Sequence, residues 1–247
     1  MNVLKKFISK ILNFVIWFLK TQKHLYVKPL FIFLMSLIFI FSFVYIVKSY
    51  EPHNDYEDIT IDFKDKKYDL KGIKVVIDPG HGGSDPGAPS YYGENESAIV
   101  MSVGEKLQKV LEESNAEVVM TRAGNETVEL DDRDAKGDIF ISLHSDAFES
   151  NEPTGFTTFY AHDSQIDLAT AINEGLNEQS LLPNKGVQTM PYQVIDQIKY
   201  PGTLVELGFL SNDVDDYLLN TEDYQNRLVY GIVEGIEIYV TDYDNKE

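Results

Sequence analysis

The 247-residue chain contains no cysteine. Disulfides and thiolate metal ligands are therefore excluded, and any metal must be held by imidazole and carboxylate groups. Acidic residues are missing from the first fifty positions, which carry seven lysines and neither Asp nor Glu. Of 21 basic and 40 acidic residues in all, residues 51–247 keep 14 and 40, a formal charge of 14 − 40 = −26. A surface that negative repels nucleic acid and anionic lipid, so neither is expected as a partner of this part. Tryptophan occurs once, as Trp17, and histidine five times. Internal repeats and low-complexity tracts are also missing.

Long apolar runs are scarce, and the one that occurs is informative. Leu30 to Val47, LFIFLMSLIFIFSFVYIV, has eighteen residues without a charge. At 1.5 Å per residue it just crosses a hydrocarbon core roughly 30 Å thick with its flanks, which predicts a transmembrane helix at 29–48. Lys5, Lys6, Lys10, Lys20, Lys23 and Lys28 precede it and only Lys48 follows closely. The positive-inside rule then makes 1–28 a cytoplasmic basic segment and puts the remainder outside the cell membrane. A cleaved signal peptide is the alternative; the long basic lead and the lack of a small-x-small site after Val47 argue against it. Ile11 to Leu19 is too short to span and reads as an interfacial helix, with Trp17 and Tyr26 suited to an interfacial belt. Residues 49–71 are polar and charged and read as a linker, and 242–247 as a tail.

From Gly72 onward, apolar runs alternate with amphipathic stretches. IKVVID (73–78), EVVMT (117–121), DIFISLH (138–144), GFTTFYA (155–161) and TLVELGF (203–209) read as strands. Residues 97–113, 166–179 and 224–239 have helical periodicity. The alternation predicts one α/β domain over 72–241, a mainly parallel sheet with helices on both faces.

In such sheets ligands bind beyond the carboxyl ends of the strands, and three strand ends here carry a metal-competent or basic group. His81 follows IKVVIDPG, His144 ends DIFISLH, and Glu206 lies inside TLVELGF. A histidine at a strand end is more often a hydrogen-bonded loop residue than a ligand. Glu206, however, sits among Leu204, Val205, Leu207 and Phe209, where an unpaired buried carboxylate costs several kcal/mol and a nearby cation would relieve it. Two histidines on adjacent strand ends supply two nitrogens of a catalytic zinc site, which needs a third protein ligand. The loop YYGENES offers Glu94 and Glu96, and spacing does not choose between them. Asp78 is a candidate acceptor for the His81 ring; a turn-forming Asp-Pro is the other reading. Gly82, Gly83 and Gly87 would let the backbone pass close to a metal or substrate. His24, His53 and His162 read as surface residues.

DPGHGGSDPGA, a Gly-x-x-Glu pattern opening a helix, ISLHSDA, and LVELGFLSN followed by DYLLNTEDYQNRL together resemble the zinc-dependent N-acetylmuramoyl-L-alanine amidases of the Amidase_3 type, over roughly residues 72–240. The resemblance implies a phosphorylase/hydrolase-like sandwich, one Zn²⁺ held by His81, Glu96 and His144, and Glu206 as catalytic base. Glu96, three residues after Gly93 and eleven before Leu107, fits the family spacing; Glu94 does not. It also implies peptidoglycan as substrate, cut between the lactyl group of N-acetylmuramic acid and L-alanine, and makes PYQVIDQIKYPGT (191–203) a segment shaping the substrate groove. Two departures stand out. Asp146 occupies the place of an asparagine in the family's His-x-Asn, adding a negative charge near the metal as a second, outer candidate beside Asp78. The stretch 122–138 is shorter than usual, with Leu130 and Arg133 kept and a helix cut back. Only ten residues separate His144 from Gly155, too few for an inserted occluding helix, so a membrane-protein regulator acting through residues 1–50 is expected. The rival functions are a zinc peptidase acting inside the stem peptide and a non-catalytic wall-binding scaffold on the same fold.

Overall fold

The computed structural model describes residues 68–244, together with residues 10, 13, 16, 17, 20, 33–36, 38, 40 and 42. The chain divides into two compact units, Met1–Ile59 and Thr60–Glu247. In the first, every described residue is helical. Most of the expected span at 29–48 and interfacial helix at 11–19 lie outside the described residues, as do His24, His53 and residues 245–247. Among the described residues no helix is long and apolar enough to cross a membrane.

The described residues of the second unit form six strands, β1 (Lys74–Pro79), β2 (Glu117–Met120), β3 (Ile139–Asp146), β4 (Phe156–Tyr160), β5 (Asn184–Thr189) and β6 (Gly202–Phe209). They form one sheet in the order β2-β1-β3-β6-β4-β5. Its helices are α1 (Glu96–Glu113), α2 (Ile166–Gln179), α3 (Gln193–Asp196), α4 (Asp213–Leu219) and α5 (Glu222–Asp244). The strand runs and long helices fall where the apolar periodicity put them. β5, NKGVQT, was not expected as a strand: it has no buried residue to mark it.

The sheet is mixed: four of its five pairings are parallel, as expected, and one is antiparallel. β2, β1, β3 and β6 are parallel, but β4 runs antiparallel to β6 and carries β5 parallel to itself. Reversal needs no helix between β3 and β4, and the nine residues from Ala147 to Gly155 make the connection.

Alternation along the strands divides the core in two. Val75, Ile77, Ile141, Leu143, Val205 and Leu207 face α1, α2 and α5 in the larger apolar cluster. Val76, Phe140, Phe159 and Leu204 face the opposite way, against Val194 and Ile195 of α3 and Ile198. The helices are thus shared unevenly. The β2–β3 crossover contributes only the 3-10 turn Leu130–Asp132, in keeping with the shortened 122–138 stretch. That thin face leaves a cleft of about 380 Å³ beside His81 and His144, lined also by Asp85, Thr127, Leu130 and Val194. Residues 68–70, expected as linker, belong to the domain: Tyr68 and Leu70 are buried in the larger cluster, and Leu70 N donates to Ser114 O at 2.7 Å.

Candidate active site

His81 lies just past β1, Glu96 is the first residue of α1, His144 is in β3 and Glu206 in β6. β3 and β6 are neighbours, and their register sets His144 opposite Glu206. Register partners in parallel strands point to the same side, so the two strands present both groups together at their C-terminal end.

The turn after β1 is built to hold His81. Its backbone is left-handed, φ +58°, a conformation that costs a residue with a side chain about 1–3 kcal/mol. Two buried arginines grip the carbonyls around it. Arg133 Nη2 donates to His81 O at 2.7 Å and its Nη1 to Pro79 O at 3.0 Å. Arg122 Nη2 donates to Gly80 O at 3.0 Å and to Ser97 O at 2.7 Å. The second contact ties the turn to the first residues of α1.

Glu96 Oε1 is the point of convergence. His81 Nε2 and His144 Nδ1 each lie 3.0 Å from it, and Ser145 N donates to it at 3.0 Å. Its other oxygen accepts from Ala88 N at 2.9 Å. Burial would raise this carboxyl's pKa, but the hydrogen bonds from His144 and His81 outweigh burial and hold it well below the usual carboxylate range. For His81, burial lowers the pKa, yet Glu96 and Asp85 together raise it above its ordinary value.

One ligand atom from each of His81, Glu96 and His144 lies within 4.8 Å of the others, a grouping able to hold a metal ion. Two imidazole nitrogens and a carboxylate oxygen, with no sulfur, suit a divalent first-row metal. The donor set and its spacing therefore fit the expected group.

Glu206 faces the opposite pressure. Burial, then the charges of Glu96 and Asp146, push its carboxyl well above the usual range. Its Oε2 is buried with no hydrogen-bond partner. A buried, unpartnered carboxyl beside a metal-type cluster is suited to taking up and releasing a proton.

Asp78 does not reach the His81 ring. Its carboxylate accepts from Thr121 Oγ1 at 2.5 Å, Ser142 Oγ at 2.7 Å and Arg133 Nη1 at 2.9 Å. It faces the sheet interior on β1, and it acts on His81 only by orienting Arg133. The ring partner is Asp85, whose Oδ2 lies 2.7 Å from His81 Nδ1 and whose Oδ1 accepts from Gly87 N at 3.0 Å. The second bond is an Asx turn, which the Asp-Pro-Gly of the loop signals. Asp146 stands past a β-bulge after His144, accepts from Ala147 N at 2.8 Å, and is no member of the ligand cluster.

Among the glycines, Gly87 (φ +66°) would set a Cβ 2.6 Å from Glu96 Oε2. Gly82 and Gly83 pack instead against Glu126 O and Thr127. Gly80, not singled out from the sequence, approaches the cluster most tightly: a Cβ there would lie 2.2 Å from His144 Cε1. In the 191–203 segment, Val194 lines the cleft. Gln193 Nε2 donates to Asp131 Oδ1 and Gln197 Nε2 to Leu130 O, both at 2.8 Å, so α3 fixes the cleft wall. Tyr192 is a further addition; burial, then the charges of Glu206 and Asp146, raise its phenol. His162 Nε2 faces Asp196 O at 2.8 Å, away from the cluster.

Fold and cluster together define an α/β domain with a two-histidine, one-carboxylate site at the carboxyl end of its parallel strands. The chain belongs to the N-acetylmuramoyl-L-alanine amidase family, Amidase_3, whose model matches residues 75–238. It is 39% identical over 184 residues to the probable cell wall amidase LytH of Staphylococcus aureus, a match covering 74% of this chain and 63% of that protein. The chain thus spans less than two thirds of that relative's length. The fold is similar to the catalytic domain of CwlV, an N-acetylmuramoyl-L-alanine amidase from Bacillus (Paenibacillus) polymyxa var. colistinus. That match has a TM-score of 0.66 and 30% identity, covering 68% of this chain and 98% of that one. The CwlD amidase from Clostridioides difficile, solved in complex with the GerS lipoprotein, gives a TM-score of 0.65 and 28% identity, covering 69% and 99%.

Proposed function

We propose that this chain is a zinc-dependent amidase that hydrolyses the bond between the lactyl group of N-acetylmuramic acid and L-alanine in peptidoglycan. One observation carries the reading: three ligand atoms of His81, Glu96 and His144 lie within 4.8 Å of one another, with the unpartnered Glu206 Oε2 on the adjoining strand. His81, Glu96 and His144 would hold the zinc, which would supply Lewis acidity at a scissile carbonyl. Glu206 takes a proton from the attacking water at its carboxylate and delivers it to the leaving amide nitrogen of L-alanine. Its buried, unpartnered Oε2 suits it to both halves of that transfer, since a proton must be held between the two events and then given up. Asp85 fixes the His81 ring so that Nε2 is directed inward. Arg122 and Arg133 hold the turn through its carbonyls.

Anchoring is part of the same proposal. Residues 29–48 would cross the membrane with 1–28 in the cytoplasm and the amidase domain outside, supported by the uncharged run and the lysine asymmetry. A regulator protein is supported by CwlD having been solved with a lipoprotein and by the lack of a helix in the loop from Ala147 to Thr154 that could occlude the site.

The test is mass spectrometry of peptidoglycan digested by the zinc-loaded full-length protein. Glycan strands freed of intact stem peptides beginning with L-alanine are expected. Cuts inside the stem would instead establish a peptidase, and no release with full zinc occupancy would establish a scaffold.

A further inference from the structure

Three tyrosines stand in water in a fixed arrangement beside the site. Tyr91 is 86% exposed, Tyr92 50% and Tyr217 57%. Their rings meet edge to face, Tyr91 to Tyr92 at 5.2 Å and Tyr92 to Tyr217 at 5.9 Å between centroids. Val214, three residues before Tyr217 on α4 and so on the same helix face, is also exposed.

The loop that carries them is pinned from below. Asp216, itself buried, accepts from Ser90 Oγ at 2.5 Å, Tyr91 N at 2.7 Å and Tyr92 N at 3.3 Å. Asn220 Nδ2 adds a bond to the same carboxylate at 2.9 Å, and Asn220 Oδ1 accepts from Glu94 N at 3.3 Å. A buried carboxylate is thus committed to fixing a loop whose large side chains point outward. Rings already fixed lose little freedom on binding a ligand.

The position and charge of this surface select its occupant. Ala88, whose N–H holds Glu96 Oε2, is three residues from Tyr91, so their Cα atoms are at most about 11 Å apart. The exposed charges of this surface in residues 88–95 and 211–220 are acidic, Glu94 and Asp213, and these stretches contain no Lys or Arg, which disfavours an anionic membrane or polyanion. A neutral polysaccharide suits it. The C–H face of a pyranose packs on the electron-rich face of an aromatic ring, and phenol hydroxyls at the ring ends can exchange hydrogen bonds with acetamido and hydroxyl groups.

We propose that Tyr91, Tyr92 and Tyr217 form a stacking platform for the glycan strand of peptidoglycan, holding sugars beyond the one whose peptide is cut. This rests on the amidase reading for the identity of the polymer. The platform favours long strands over short fragments, because a strand that continues past the scissile muramic acid offers it more sugars to stack.

The test compares the zinc-loaded full-length protein with Tyr→Ala and Tyr→Phe triple variants at positions 91, 92 and 217. Each is assayed on insoluble peptidoglycan, on a soluble N-acetylmuramoyl-peptide, and for binding to peptide-free glycan strands. The alanine variant is expected to raise the apparent KM on insoluble peptidoglycan on the order of 10-fold, keep its rate on the small substrate, and bind peptide-free glycan more weakly. The phenylalanine variant should retain most of the wild-type behaviour. Equal KM on the polymer and equal glycan binding for all three proteins would overturn the platform. So would equal loss on both substrates. If the wild type cleaves neither substrate, the amidase reading fails, and the glycan-binding comparison still decides the platform.

Discussion

Replacing Glu206 by Gln tests the electrostatics of the site without reference to catalysis. In the metal-free protein, Glu206 is buried with Oε2 unpartnered, and burial with the charges of Glu96 and Asp146 raises its pKa. A carboxyl whose folded pKa exceeds its unfolded value binds its proton more tightly in the folded state. Stability is then greatest below the unfolded pKa and declines as pH rises toward and through the folded pKa. Glutamine is neutral throughout, so the variant lacks that decline. Groups common to both proteins cancel in the difference. A buried unsatisfied group costs about 1–3 kcal/mol, more when charged. For a domain of this size each kcal/mol moves Tm by roughly 2–4 °C. In EDTA, Glu206→Gln should melt within error of the wild type near pH 4 and roughly 2–12 °C above it at pH 8. Calorimetric melts across that range provide the reading. A pH-independent offset, or a variant less stable at pH 8, would refute the account of a strained carboxyl. Activity of the zinc-loaded variant should meanwhile fall roughly 100-fold or more.

Asp85→Asn removes the charge partner of His81 Nδ1 and should weaken zinc binding about 10–100-fold with little change in melting temperature, as read by competition with a chelating dye. Gly80→Ala places a methyl 2.2 Å from the His144 ring; the ring must move, and metal stoichiometry should fall below one per chain while circular dichroism is kept. Arg133→Ala strips Asp78 of its only ion-pair partner among the described residues and should cost about 3–5 kcal/mol by denaturant unfolding. A loss under 1 kcal/mol would mean that Thr121 and Ser142 suffice to hold the buried carboxylate.

Strands β1, β3 and β6 and the three long helices were legible in the chain because each is written in local periodicity: apolar runs bracketed by Gly, Pro and Asp for strands, a 3.6-residue spacing for helices. The four candidate site residues were legible for a related reason. His81, His144 and Glu206 stand at or near strand ends, and Glu96 stands at a helix start, where a sheet of this class gathers its ligands; choosing Glu96 over Glu94 still required the family pattern. What lay beyond reach was pairing between distant segments. The reversal of β4 and β5 depends on which edges meet, and β5 has no buried face to betray it. Asp78 reads as the neighbour of the His81 ring on paper, and Asp85 in the same loop does not stand out. Folding turns the first into the sheet toward Ser142 and Arg133 and leaves the second in the loop, within 2.7 Å of the ring. The grip of Asp216 on a loop some 125 residues earlier in the chain has the same origin. Local sequence sets conformation and burial, whereas the partner of a polar side chain is chosen by the packing that brings remote backbone into range.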